Sequence, residues 1–412
     1  MVKKFYDTNV LLRKDIEEIT KNKFVISTIT LAELENIKND SRKDFSIKVR
    51  AQNVSKWLAE NEKRYEVCIY NENLIAPLKE LGLEINNDAK IIACALAWSK
   101  HNEVELVTGD LNMYNIAKTT GLRKVSLYKP TPDTYKGYEV VTLNDEEMAY
   151  LYEHLDENIY KLHINEYLQV YDTNNNWVAI FKWNGVEHVS VQYPKFKSRM
   201  LGDIKPLDKQ QYAAMDSLLN NQMTMLRGPA GSGKSHLACA YLFQLLEKGD
   251  ISKIVILVNT PAAKGACKLG FYPGSKDEKL LSSTVGNILS AKLGSMDMVE
   301  MLIGDGKLEL IPIADLRGVD FSDSKVGVWI VEAQNTSRYL MQLCLQRLGD
   351  DSIMIIDGDD ATQVDMSEFA GEQNGMKAVS KVFRGCEYYG EVTLDSIHRS
   401  KIAAKAQEID VW

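Results

Sequence analysis

The run Gly228-Pro229-Ala230-Gly231-Ser232-Gly233-Lys234-Ser235 constrains this chain more than any other stretch. The apolar run 223–226 before it reads as a short buried strand, and the apolar spacing over 236–246 after it reads as a helix. Glycines between strand and helix let backbone N–H groups turn inward around phosphate oxygens. Lys234 adds a point charge, and Ser235 offers a hydroxyl to Mg²⁺ at the helix N-terminus, with His236 next in the candidate nucleotide-binding set. A chance glycine turn would have to reproduce both the full spacing and its strand–loop–helix context, so a phosphate site is the expectation.

At 412 residues and 45% hydrophobic content the chain is too long for one ordinary core, which predicts two or three domains. No apolar run is long enough to span a bilayer, and the first residues turn polar too soon for a signal peptide, so a cytoplasmic protein without membrane attachment is expected. The six cysteines form no C-x-x-C pair and read as buried free thiols. A net charge of −8 argues only mildly against nucleic-acid binding, because carboxylates gathered around metals would inflate it while a local basic groove survives.

In the N-terminal third, a strand over 2–6 runs into Asp7-Thr8-Asn9, and a strand over 24–29 leads to a helix carrying Glu33 and Glu35. A helical stretch over 46–62 and a strand over 65–70 come next. Asn86-Asn87-Asp88 then caps a helix with Ile91, Ile92, Ala95 and Leu96 at helical spacing, and a strand over 104–107 ends in Thr108-Gly109-Asp110. Alternating strands and helices imply a parallel sheet, whose ligands sit beyond the carboxyl ends of the strands. Any one of these acids is equally well explained as a turn or helix cap. Asp7, Glu33, Asp88 and Asp110 together point to Mg²⁺ or Mn²⁺ and to metal-assisted phosphodiester cleavage.

These residues, in this order over residues 2–127, resemble a PIN domain, a metal-dependent ribonuclease fold. The resemblance implies that Asp7, Glu33, Asp88 and Asp110 are the catalytic, metal-binding acids, with Asn9 and Thr108 in support. Glu35 reads as a solvated helix residue.

Tyr128-Lys129-Pro130-Thr131-Pro132 breaks secondary structure and marks the first boundary. Beyond it come a short helix over 145–154 and strands over 167–171, 177–183 and 186–192. Asn184-Gly185 is a two-residue hairpin signal between the last two. Tyr193, Lys195, Phe196, Lys197 and Arg199 interleave bases and rings, which suits single-stranded nucleic acid and equally suits a lysine-protected sheet edge.

In the C-terminal half, Gln211 stands before the first core helix, where an amide can pair with adenine. Strands are expected over 253–258 and 326–331, the second ending in Glu332-Ala333-Gln334-Asn335; an acid there can polarise the water that attacks a γ-phosphate. A strand over 352–356 leads to Asp357-Gly358-Asp359-Asp360, with Gln363 and Asp365 beyond it, placed to sense that phosphate. A strand over 392–395 precedes His398-Arg399-Ser400, which offers a cation to the transition state.

This set, from residue 202 onward, resembles the PhoH family of P-loop ATPases, related to superfamily 1 helicases. The matching residues are Pro206-x-Asp208-x-x-Gln211, the phosphate loop, the turn 269–274, Leu316-Arg317-Gly318, Glu332-Ala333-Gln334-Asn335, Gly358-Asp359 with Gln363 and Asp365, and Arg399-Ser400. The expected fold class is α/β: a PIN-like parallel-sheet domain (1–127), a linker with a small β module (128–201) and a RecA-like P-loop ATPase domain (202–412). The resemblance implies ATP with Mg²⁺ or Mn²⁺ as cofactors, Glu332 and Arg399 as catalytic, and Gln211, residues 228–236, Asp359 and Gln363 as nucleotide-binding. It further implies single-stranded RNA as partner and a homo-hexameric ring, with Arg399 acting within its own subunit or across an interface.

One departure stands out: Ile330-Val331-Glu332-Ala333-Gln334 places valine where the family has the aspartate that steadies Mg²⁺ beside the Ser235 hydroxyl. Asp357 or Asp359, in a loop one residue longer than usual, could compensate, and the sequence does not choose between them. Val319 stands where the family favours a basic residue. The leading expectation is an ATP-driven RNA helicase joined to a ribonuclease. The alternatives are a nucleotide-gated nuclease with little turnover and an RNA-binding assembly without cleavage.

Overall fold

The structure, a computed structural model, describes residues 2–12, 22–40, 45–128, 134–259, 284–321, 325–361, 373–398 and Lys405. The chain separates into two compact units, Met1–Asp133 and Thr134–Trp412.

In the first unit β1 (Lys3–Tyr6), β2 (Phe24–Ser27), β3 (Tyr65–Cys68), β4 (Val104–Thr108) and β5 (Val125–Leu127) form one parallel sheet in the order β3-β2-β1-β4-β5. Successive side chains on a strand face opposite ways, and both faces here are apolar because both are covered. Phe5, Val25 and Leu106 pack with Ile91 and Met113 on one side, while Tyr6, Phe24 and Val107 pack with Leu34, Val54 and Leu58 on the other. The second strand stops two residues earlier than its apolar run suggests, because the Ser27 hydroxyl accepts the Thr30 N–H and starts the helix Thr28–Asn39 there. From β1 the chain builds outward to β2 and β3 on one side, then returns to β4 and β5 on the other. The crevice at the carboxyl ends of β1 and β4 is therefore the topological switch point.

The second unit opens with β6 (Tyr138–Leu143), β7 (Tyr167–Asp172), β8 (Trp177–Trp183) and β9 (His188–Ser190) in one sheet, followed by the pair β10 (Phe196–Ser198) and β11 (Gly202–Ile204). β6 was not anticipated, although its Tyr138-Glu139-Val140-Val141-Thr142-Leu143 sequence is rich in strand-favouring residues. The β8–β9 reversal centres on Gly185-Val186 rather than Asn184-Gly185. The Asn184 N–H donates to the Glu187 carbonyl, and its side-chain oxygen accepts from the N–H groups of Val186 and Glu187.

This module shares one core with the helices Lys209–Asn220 and Lys234–Lys248, as Tyr138, Tyr167, Ile180 and Phe196 join Tyr212, Leu237 and Tyr241. Phe196 is fully buried against Tyr241, so it cannot stack on a base as the interleaved pattern suggested. Its truncation to alanine would cost about 3–5 kcal/mol. Lys195, Lys197, Arg199 and Tyr193 face solvent.

The main sheet of this unit consists of β12 (Met223–Arg227), β13 (Lys253–Val258), β14 (Leu308–Pro312), β15 (Val326–Val331), β16 (Ile353–Gly358) and β17 (Tyr389–Thr393), all parallel, in the order β14-β13-β15-β16-β12-β17. The helices Lys209–Asn220 and Lys234–Lys248 pack on one face; Arg338–Leu345 and Gly375–Phe383 pack on the other.

Candidate functional site

The phosphate loop leaves β12 and enters the helix Lys234–Lys248 as its sequence requires. Gly228, Gly231 and Gly233 all have positive φ, at 132°, 88° and 100°. A Cβ on Gly228 would collide with the Leu394 carbonyl, and one on Gly233 would lie 2.7 Å from Gln211 Nε2. Two features thus demand glycine at these positions: a left-handed backbone and close neighbours. Lys234 Nζ donates to the carbonyls of Gly228 at 2.6 Å and Pro229 at 2.9 Å, so the loop holds its cation at its own mouth. Among the described residues Ser232 Oγ and His236 Nδ1 are buried without a hydrogen-bond partner, which leaves the loop's polar set open to a further group. Burial and Lys292 hold His236 below the usual imidazole range, making it a neutral member of the set.

Gln211 ties the loop to the preceding segment. Its Nε2 donates to the Ser232 carbonyl at 3.0 Å and its Oε1 accepts the Leu207 N–H at 2.9 Å. Asp208 caps the same helix through the Gln211 N–H and pairs with His398, whose N–H donates to the Gly231 carbonyl.

Opposite the loop, Glu332 follows β15 with φ 52°, a left-handed conformation unusual for glutamate and of the kind that collects at working sites. Its carboxylate accepts from Gln334 Nε2 at 2.7 Å, and Gln334 Oε1 accepts the Asp359 N–H at 3.2 Å. Glu332 and the Asp359 turn are therefore mechanically linked. Val331 is 1% exposed within the apolar core. Asp357, read as a loop residue, instead lies within β16, where the Ser235 hydroxyl donates to it at 2.7 Å.

In the first unit Asp7 follows β1 and Asp110 follows β4, on either side of the switch point. Thr108 Oγ1 donates to Asp7 at 2.9 Å, and Thr8 Oγ1 donates to Glu33 at 2.5 Å. Asp110 caps the helix Leu111–Thr119 through the Met113 N–H, and Asp88 lies in the first turn of Asn87–Ser99. Burial, then the charges of Asp88 and Glu33, push Asp7 up to about 6 against the Thr108 hydrogen bond. Burial, Asp110 and Glu33 likewise raise Asp88. The four acids thus share one electrostatic field, and Asn9 is exposed beside them.

Hard oxygen donors with surplus negative charge suit Mg²⁺ or Mn²⁺. Among the described residues, however, no three His, Cys, Asp or Glu side chains are gathered tightly enough to hold an ion alone. The four acids match such a cation in charge and donor chemistry, but among the described residues they are not gathered into a ligand group.

A profile described as "PhoH-like protein" matches residues 203–409, about half the chain. The chain belongs to the PhoH-like family. A "PIN domain" profile matches residues 5–128, which makes this PhoH-like chain a PIN–PhoH fusion. The "PhoH-like protein" of Bacillus subtilis (strain 168) is 32% identical over 213 residues, covering 50% of this chain and 62% of that protein. "Protein PhoH2" of Mycolicibacterium smegmatis is 34% identical over 205 residues, covering 48% and 46%. "Protein PhoH2" of Bacillus subtilis is 26% identical over 449 residues, covering 98% of each. The chain therefore spans under two thirds of the first two relatives and almost all of the third.

Of the PhoH-like positions, Gln363, Asp365, Arg399, Ser400 and the turn 269–274 lie outside the described residues. Sequence reasoning missed one buried network beside the loop: Arg227 donates to both oxygens of Asp360, at 3.0 and 2.9 Å, and to Glu391 at 2.8 Å. An arginine closing an apolar strand was its one signal. No helix among the described residues is long and apolar enough to cross a membrane.

Proposed function

We propose that this PIN–PhoH fusion is an RNA-processing enzyme in which ATP hydrolysis in the second unit drives single-stranded RNA and the four acids of the first unit cleave it. The main support is the pairing, in one chain, of a complete phosphate loop with four carboxylates that share one field at a switch point. In the second unit Lys234 leaves its two carbonyls to meet phosphate oxygens, and Gln211 holds the loop in shape. Glu332, steadied by Gln334, takes up a proton from the attacking water. In the first unit Thr108 and Thr8 orient Asp7 and Glu33 toward the crevice. Divalent cation chemistry there would activate water and stabilise the leaving oxygen. A ring of six such chains would complete each nucleotide site with a neighbour's residue.

A nuclease gated by nucleotide without turnover rests on Val331 alone, and the Ser235–Asp357 bond favours turnover instead. The test is ATP hydrolysis with and without single-stranded RNA, alongside Mg²⁺- or Mn²⁺-dependent cleavage of the same RNA. RNA-stimulated turnover together with cleavage that Asp7→Asn removes is the expected result. Background turnover, with ATP still altering cleavage, would replace the motor by the gate.

A further inference from the structure

We infer that Asp357, one strand closer to the phosphate loop than Val331, is the acid that steadies the nucleotide's Mg²⁺ beside the Ser235 hydroxyl. The inference rests on the nucleotide-binding reading above. Three acids follow or end β16, and their contacts separate them. Asp360 spends both carboxylate oxygens on Arg227. Asp359 Oδ1 accepts the Ala361 N–H, which turns it into its own loop. Among the described residues Asp357 alone of the three is hydrogen-bonded to the phosphate-loop serine, accepting at 2.7 Å through Oδ2. Its Oδ1 accepts the Glu332 N–H at 3.2 Å, so the carboxylate is fixed from both ends and linked to the residue that faces the attacking water.

Strand register explains why the exchange of positions is geometrically natural. Ile330 and Ile356 are paired across β15 and β16, so Val331 and Asp357, one residue further on each strand, stand at the same height. Val331 and Ile355 both belong to the core on the side of the helix Lys234–Lys248, and the alternation of β16 turns Asp357 to that same side. β16 lies between β15 and β12, so a carboxylate moved from β15 to β16 shifts toward Ser235 without changing face or height. A serine hydroxyl and a carboxylate are the hard oxygen donors that Mg²⁺ takes in such loops. Asp357 is 1% exposed, and a carboxylate so buried is costly unless it serves a cation or a donor.

The test measures binding of a fluorescent ATP analogue to the full chain, with Mg²⁺ and with EDTA, for wild type and Asp357→Asn. The expected wild type binds more tightly with Mg²⁺. Asp357→Asn should lose about 10- to 100-fold of that Mg²⁺-dependent gain while binding the metal-free analogue as well or better, since a negative charge has left the phosphate site. Opposite responses with and without metal are what a merely structural role would not produce. A full Mg²⁺ gain in Asp357→Asn overturns the inference. Equal loss with and without metal also overturns it, since Asp357 would then only hold the loop together. No binding by the wild type overturns the nucleotide reading beneath it.

Discussion

At the carboxyl edge of the first unit's sheet Asp7 is lifted to about 6 by burial, and at the corresponding edge of the second unit's sheet Asp357 is lifted to about 6 by burial as well. Their neighbours work in opposite directions. Around Asp7 one hydroxyl and one backbone group pull down while Asp88 and Glu33 push up. Around Asp357 the Ser235 hydroxyl, Lys234 and the Glu332 N–H pull down, and only the Glu332 charge pushes up. Among the described residues the charges that move Asp7 and Asp88 are all those of other acids, drawn from separate elements. An acid beside a phosphate loop finds its counter-charge already in the fold, so that site is organised before anything binds.

The largest expected effect tests whether the second site owns its charge. Lys234→Ala removes the loop's cation, and ATP turnover should fall by about 10²–10³-fold, measured as phosphate release. Nucleotide-free, Mg²⁺-dependent RNA cleavage should survive; its loss would show that the two sites are not chemically separate. Asp7→Asn is the mirror experiment. Cleavage should drop by roughly 10²-fold or more, because several kcal/mol of metal-derived stabilisation go with it, while ATP turnover persists.

The same substitution has a second consequence, of opposite sign, in stability. The folded-state pKa of Asp7 is raised, so the folded protein holds this proton more tightly than the unfolded chain. Its contribution is fully present below the unfolded value near 3.8 and is lost as pH rises through about 6. The loss amounts to about 3 kcal/mol by neutral pH, at about 1.4 kcal/mol per unit. Thermal melts in EDTA should show the wild type losing stability across that window relative to Asp7→Asn, and Mg²⁺ should return part of it to the wild type only. Parallel pH profiles for the two proteins would mean that Asp7 is not under the stress described.

The contrast between the units also governs what could be read from the sequence. The phosphate loop was legible because its glycine spacing encodes backbone conformation directly, as the positive φ of Gly228, Gly231 and Gly233 shows. Asp7 and Asp110 were legible because an acid closing an apolar run marks a strand's carboxyl end, and the parallel sheet was legible with them. Asp357 was not. An apolar run followed by Asp357, Asp359 and Asp360 does not say where the strand stops, and only cross-strand register decides which acid meets Ser235. Phe196 was left with two readings, base stacking or a lysine-protected sheet edge, for a related reason. Its alternation with Lys195, Lys197 and Arg199 is that of a strand with one buried face, and an exposed basic face is common to both readings.

The smallest expected effect is also the sharpest for the nucleotide site. If a missing aspartate at Val331 limits this enzyme, Val331→Asp should raise turnover strongly. Val331 is 1% exposed in the core, however, and stands level with Asp357 on the adjacent strand and the same face. A second carboxylate there would lie beside one that Ser235 already satisfies, at a desolvation cost of about 1–3 kcal/mol in stability. In the wild-type background, then, turnover should stay level or fall modestly and the melting temperature should drop. In an Asp357→Asn background the same substitution meets no like charge and supplies the missing one, and Mg²⁺-dependent nucleotide binding should rise. The double-mutant cycle over these two positions should therefore show a coupling well beyond the few tenths of a kcal/mol expected of independent sites. Additive effects would place the Mg²⁺ acid at neither strand.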